Sequence, residues 1–412
     1  MIYLKKNVNS APYSHIWAGQ KTGLLPKNGG LPMLVQFSVT NYKNFKDSAV
    51  LDLTEGKISE HSHHLIKNAY DRLGILPVAM IYGPNGSGKS NFLKALWHLR
   101  SLVLEGSSSF QEDYFFHFDY QCKKSPVEYE VIFRVEDREY DYQLKMTASE
   151  VIEENLFARN IKDSNYDVIF DRDSEGVFLC PALEDLNVSR LTDREPLLYF
   201  LSLSKKQQTL LPVYDFFRNM IFLSGHQTRQ ELISSVLKTK SLKEDLLSIL
   251  QKMDASLTDI KSSSKGFVFT HTHQGKALQL SWNSESSGIR QLLAVTCCLL
   301  EAGQKNALIL ADTPELYLHP IVLDQLYHLY TDQKELRGNA QFLAVTQENS
   351  TMNNGIFRRD ELWILAPGHD GASSLYPLSL YLKKGGEKVR KDETYSKQYL
   401  EGRYGGIPVI KK

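Results

Sequence analysis

An apolar run, Val78-Ala79-Met80-Ile81-Tyr82, leads directly into Gly83-Pro84-Asn85-Gly86-Ser87-Gly88-Lys89-Ser90, and this junction constrains the fold more than any other stretch of the 412 residues. The eight residues match G-x-x-x-x-G-K-[ST]. After them Phe92, Leu96, Leu99 and Val103 recur at helical spacing. Strand, glycine loop and helix form the context in which the pattern cradles phosphate. Glycines let successive backbone N–H groups face one concavity, and the helix adds its positive end. The pattern predicts that Asn85, Gly86, Ser87, Gly88 and Asn91 frame a nucleoside triphosphate. Lys89 is expected to reach its β- and γ-phosphates and Ser90 to ligate Mg²⁺.

The chain is too long for one compact core, so two lobes are expected. Lys plus Arg and Asp plus Glu are both 48, and no global charge draws the protein to nucleic acid or anionic lipid. Cys122, Cys180, Cys297 and Cys298 lack metal or redox spacing. Cys297 and Cys298 fall in an apolar helical run, where buried free thiols are expected. No apolar run approaches the roughly 18 residues of a membrane span, and Met1 to Ser10 lack the apolar core of a signal peptide. These features predict a soluble, cytoplasmic protein. Residues 1–32 are polar and without period, an appendage to the fold.

Val35, Phe37 and Val39 alternate with polar residues, Asn41-Tyr42-Lys43-Asn44-Phe45 turns, and Val50 and Leu51 follow, which predicts a hairpin. Tyr129, Val131, Phe133 and Val135, then Tyr140, Tyr142 and Leu144, continue as an antiparallel β lobe. Residues 183–260 switch to helical period, with Ser241-x-x-Glu244 read as a capping box. Hairpin signals return at Phe267–Thr270 and Ala277–Leu280 around Gln274-Gly275. Ser286-Ser287-Gly288 precedes a long apolar helix, Leu292 to Ala302. The strand run Ala307-Leu308-Ile309-Leu310-Ala311 then delivers Asp312, an acid expected at the Mg²⁺. Pro314-Glu315-Leu316-Tyr317-Leu318-His319-Pro320 follows, and a further strand, Phe342 to Thr346, ends at Gln347.

The order of loop, serine–glycine segment, strand-Asp and Leu-His-Pro resembles the ABC-type ATPases of the SMC, RecF and OLD group. Two later stretches tighten the match, Phe357-Arg358-Arg359-Asp360-Glu361-Leu362-Trp363 and Tyr399-Leu400-Glu401-Gly402-Arg403-Tyr404-Gly405-Gly406-Ile407-Pro408. Both resemble the RloA and abortive-infection (AbiL-like) family of bacterial anti-phage loci. The resemblance covers about residues 33–410 and implies an α/β fold, a P-loop ABC-type ATPase head with an antiparallel β lobe and an inserted helical arm. The division it suggests is an N-terminal extension over 1–32, a first half of the head over 33–182, a helical insertion over 183–260 and a second half over 261–412. It also implies a site shared by two copies, in which Ser287 and Gly288 of one contact the γ-phosphate held by the other. His319 takes the place of a residue facing the partner's nucleotide; a cap at a helix start is the other reading.

The sequence departs from this group at two positions. The Glu that normally follows the strand Asp is Thr313, which cannot accept a proton near neutral pH, and the usual γ-phosphate-sensing His is Gln347. ATP binding and dimer closure are therefore expected to survive with weakened hydrolysis, in which Lys89, Asp312 and Glu315 are the catalytic candidates. The reading is an ATP- and Mg²⁺-dependent homo-oligomeric sensor or scaffold controlling a separate nuclease or toxin in phage defence. Two alternatives stay open: a DNA-clamping repair ATPase, and a pseudo-ATPase assembly scaffold. His61, His63 and His64, with His271 and His273, are read as solvent-facing loop residues. Asp171-Arg172-Asp173 is read as a turn and Glu153-Glu154 as a solvated strand end, so no nuclease site is expected in this chain.

Overall fold

The computed structural model describes residues 32–67, 73–111, 113–204, 208–225, 230–264, 266–332, 337–383 and 385–408. The appendage expected over 1–32 lies, apart from Pro32, outside the described residues.

Strands β1 (Met33–Thr40) and β2 (Ala49–Asp52) form the expected hairpin, with Phe37 opposite Leu51. Strand β3 (Val78–Tyr82) leads through the glycine loop into helix α1 (Lys89–Glu105). The antiparallel lobe follows as β4 (Val127–Val135), β5 (Arg138–Met146), β6 (Val151–Asn160), β7 (Asp167–Asp173) and β8 (Gly176–Leu179). Its order is β2-β1-β4-β5-β6-β7-β8. The alternation read in β4 places Tyr129, Val131 and Phe133 in the core.

Next come α2 (Leu197–Ser202), α3 (Leu211–Arg218), β9 (Met220–Ser224), α4 (Gln230–Lys238) and α5 (Lys240–Met253). The small sheet β10 (Leu257–Ser263), β11 (Gly266–His273) and β12 (Lys276–Ser281) precedes α6 (Ser287–Lys305). Gln274 and Gly275 both take positive φ, 49° and 76°, the conformation of a tight two-residue hairpin turn. The chain continues through β13 (Leu308–Asp312), α7 (Pro320–Asp332), β14 (Gln341–Thr346), β15 (Leu362–Pro367), β16 (Ser373–Pro377) and α8 (Tyr395–Leu400).

The second large sheet runs β16-β15-β3-β14-β13-β9, parallel except for the edge strand β16. Both of its faces are covered, as parallel sheets require. Ala79 and Ile81 pack with α1 and the antiparallel lobe, while Val78, Met80 and Tyr82 pack with α4–α7. Leu308 and Leu310 against Ile309 and Ala311, and Leu343 and Val345 against Phe342 and Ala344, divide the same way. Buried Gln341 joins the two large sheets: its amide accepts from Leu34 N–H and donates to the Leu34 and Leu76 carbonyls. The carboxyl ends of the parallel strands align, with Tyr82 beside Thr346 and Val345 beside Asp312, so the residues after them converge on one rim.

Several local expectations are corrected. The stretch 183–260 is not wholly helical: β9 is the edge strand of the parallel sheet, and α2 and α3 pack into the core around α1. Met220–Ser224 is an apolar pentapeptide between helices, and its pairing with β13 decides its state. No capping box forms at Ser241, because α5 begins at Lys240 with Thr239 as its N-cap and no side-chain cap. Asp171-Arg172-Asp173 ends β7 rather than forming a turn, and buried Arg172 donates to the carbonyls of Thr192, Asp193 and Glu195. Glu154 is fully buried, not solvated. Its carboxylate accepts the Leu197 and Leu198 N–H groups at the start of α2 and the Tyr142 hydroxyl, while burial pushes its pKa up. Glu153 is the half-buried member of the pair and meets Lys145 at 2.8 Å. His271 and His273 stand on β11 rather than in a loop, and His271 Nε2 lies 2.8 Å from buried Glu285. All four cysteines are free and buried.

Candidate functional site

The glycine loop sits on the rim where β3, β13 and β14 end. Gly83 admits no side chain, since a Cβ there would lie 2.5 Å from the Leu365 carbonyl oxygen. Gly88 has φ +93°, and a Cβ would meet Asn44 at 2.6 Å. Gly86 has φ +80° and open space where its Cβ would point, so at this exposed position the loop presents backbone alone. Gly88 caps α1 without any side-chain hydrogen bond, and the first turn holds no acid, so the amides of that turn remain available to an anion. Among the described residues, buried Ser87 Oγ has no hydrogen-bond partner. These features fit a triphosphate.

Lys89 is 7% exposed, and its Nζ donates to the Gly83 and Pro84 carbonyls at 2.6 and 3.0 Å. Burial lowers its pKa, while Glu315 and Asp312 nearby oppose that shift. Ser90 Oγ donates to Asp312 Oδ1 at 2.9 Å, a contact between residues 222 positions apart. A hydroxyl and a carboxylate juxtaposed beside a phosphate cradle are the oxygen donors Mg²⁺ takes from a protein.

Asp312 ends β13, and the chain then turns sharply. Thr313 has φ +51° and Tyr317 φ +67°, the left-handed region, which is rare for side chains of this kind. Thr313 Oγ1 donates back to the Asp312 carbonyl and its N–H to Val345 O, so its hydroxyl is engaged with backbone. Glu315 accepts the Gln347 N–H at 3.0 Å, and burial raises its pKa. It therefore ties the Asp312–His319 turn to the end of β14. His319 is exposed, and its Nδ1 accepts the Ile321 N–H at the start of α7, the geometry of a helix-start cap.

Ser286 is the N-cap of α6, accepting from Ile289 N–H at 3.2 Å, and Ser287 and Gly288 open the helix. Among the described residues no hydrogen bond links Ser287 or Gly288 to the glycine loop of the same chain. Beside Gly288 lies Tyr317, whose carbonyl is 3.2 Å from where a Cβ would stand.

Two residues that sequence reasoning missed hold the loop in shape. Asn44 donates from Nδ2 to the Gly86 carbonyl at 3.1 Å and accepts from Asn91 at 2.6 Å. Ser373, on β16, donates to the Ser87 carbonyl at 2.7 Å. Asn44 was visible only as a turn residue, and Ser373 carried no signal because its partner is 286 positions away. We expect Asn44→Ala to weaken MgATP binding about tenfold, since one loop carbonyl and Asn91 lose their partner. Unchanged affinity in calorimetry would contradict this.

A glycine loop between a parallel strand and a helix, with a strand-terminal Asp in contact with the loop's Ser and an antiparallel lobe alongside, defines a P-loop ATPase head. The chain belongs to the family described as "AAA domain, putative AbiEii toxin, Type IV TA system", whose model matches residues 78–353. No curated protein matches it. Among solved structures it is similar to an SMC head domain from Thermotoga maritima, at 14% identity and TM-score 0.44, covering 84% of this chain and 98% of that one. It is likewise similar to an Smc head bound to the C-winged helix domain of ScpA, at 14% identity and TM-score 0.48 with the same coverage. A third is an Smc head with an extended coiled coil bound to a ScpA domain derived from Pyrococcus furiosus, at 11% identity and TM-score 0.46, covering 84% and 96%. Among the described residues no helix is long and apolar enough to cross a membrane.

Proposed function

We propose that this chain is an ATP-binding ATPase of the RloA and AbiL-like kind, that two copies close around ATP and Mg²⁺, and that the closed pair controls a separate nuclease or toxin in anti-phage defence. The contact between Ser90 Oγ and Asp312 carries the reading, because it joins the loop to the strand acid where a metal-bound triphosphate would lie. The amides of Asn85 to Ser90 and the Lys89 ammonium hold the phosphates, with Asn91 steadied by Asn44. Ser90 and Asp312 hold the metal. When bound, Mg²⁺ supplies charge neutralisation at the phosphates.

Closure by a second copy is supported at α6. Ser287 is exposed at the helix start, and large apolar side chains, Tyr317 on the neighbouring turn and Ile321 at the start of α7, are 65% and 67% exposed. Each copy has one loop and one serine–glycine start, so a two-fold pair completes two sites. The division into head halves with an inserted segment over 183–260 belongs to the same reading, with β9 counted as part of the head. Sedimentation of the protein with and without MgATP tests closure: a nucleotide-dependent dimer, absent in Ser287→Arg, is expected. A monomer under both conditions would refute it. Proteins co-purifying with wild type but not Lys89→Ala from native cells would identify the effector, and salt-sensitive DNA capture in their place would favour a clamp.

A further inference from the structure

The histidines of the 61–64 turn do not all face solvent. His64 is wholly buried, and its Nδ1 lies 3.1–3.2 Å from both Glu361 carboxylate oxygens, 297 positions away. A carboxylate only accepts, so Nδ1 is a donor to Glu361 and the ring's other nitrogen is Nε2. That Nε2 has no hydrogen-bond partner among the described residues. A buried ring nitrogen without a partner is costly unless something else occupies it.

What surrounds that nitrogen is a set of further ligand atoms. His61, His63 and His64 each bring one nitrogen within 4.8 Å of the others, held together by a turn in which His61 has φ +46°. Asp332, on α7, places Oδ1 3.2 Å from His63 Nε2 and 3.8 Å from His64 Nε2. A tetrahedral ion with arms of about 2.0–2.1 Å needs its ligand atoms about 3.3–3.4 Å apart. Asp332 meets that spacing with His63 and His64 to within tenths of an ångström, while the histidine nitrogens, up to 4.8 Å apart, would draw in by as much as about 1.5 Å on binding. Outer partners are already in place: His61 Nε2 lies 2.8 Å from the Asn354 carbonyl, Glu361 holds His64, and His328 Nδ1 lies 3.3 Å from the second oxygen of Asp332.

We propose that His61, His63, His64 and Asp332 form a structural zinc-class site that fastens the 61–64 turn to α7. Three imidazoles and one carboxylate select a borderline transition metal over Mg²⁺, which takes oxygen donors at Ser90 and Asp312. The site shares no residue with the glycine loop, so it stands or falls apart from nucleotide binding. Full-length protein stripped with chelator and titrated with Zn²⁺ should take up one ion per chain. Co²⁺ in its place should give the intense visible bands of tetrahedral coordination. In the double variant His63→Ala and Asp332→Asn, both half-exposed side chains, uptake and bands should vanish while MgATP binding persists. Absence of Zn²⁺ uptake in the wild type, octahedral Co²⁺ spectra, or equal uptake by the double variant would each overturn the assignment.

Discussion

Lys89→Ala should abolish useful nucleotide binding, weakening MgATP by about 100-fold or more, on the order of 3 kcal/mol. Its Nζ sits on the Gly83 and Pro84 carbonyls, so a full positive charge is held inside the turn that the glycines shape. A triphosphate brings several negative charges to that position, and backbone amides supply only partial ones. Stability should change less than affinity, because removing the disfavoured buried ammonium offsets part of the cost of leaving the Gly83 and Pro84 carbonyls without their donor. Calorimetric titration together with a thermal melt separates the two effects. Near-wild-type affinity in a folded variant would mean that the triphosphate lies elsewhere, and the proposed function would fail with it.

How much of this was legible beforehand depends on the range of the interaction concerned. The glycine loop, β13 with Asp312 and the start of α6 obey local rules of backbone freedom, continuous apolar runs and capping, and all stand where those rules place them. The turn at Gln274-Gly275 is legible for the same reason. Met220–Ser224 was not, because five apolar residues between helices become a strand only by pairing with β13. Glu154 and His64 look polar and exposed in sequence. Each is buried because a distant group satisfies it: the amides of α2 in one case, Glu361 in the other. Asn44 and Ser373 have the same history, since their role is to hold a loop folded from another part of the chain. Local pattern reports which elements form. It does not report which polar side chains those elements enclose.

Thr313→Glu should raise ATP turnover at least tenfold, toward the roughly 10²–10⁴-fold that a positioned base contributes. Wild-type turnover should be slow, because the Thr313 hydroxyl is bound to the Asp312 carbonyl and cannot take a proton from water. The backbone there has φ +51°, which a β-branched residue tolerates poorly, at a cost of about 1–3 kcal/mol. Glutamate lacks the branch at Cβ, so the exchange relieves part of that strain while adding the carboxylate. Glu315 is the remaining candidate base, and pH distinguishes it. Burial raises its pKa, and only the deprotonated form accepts a proton, so wild-type turnover should climb with pH above the usual carboxylate range. In Thr313→Glu the climb should begin lower, and Glu315→Gln should abolish the wild-type activity while sparing most of the gain. Phosphate release measured in a single turnover across pH decides between them. A wild type already turning over several times per second, or a Thr313→Glu variant no faster than it, would show that the missing glutamate is not what limits hydrolysis.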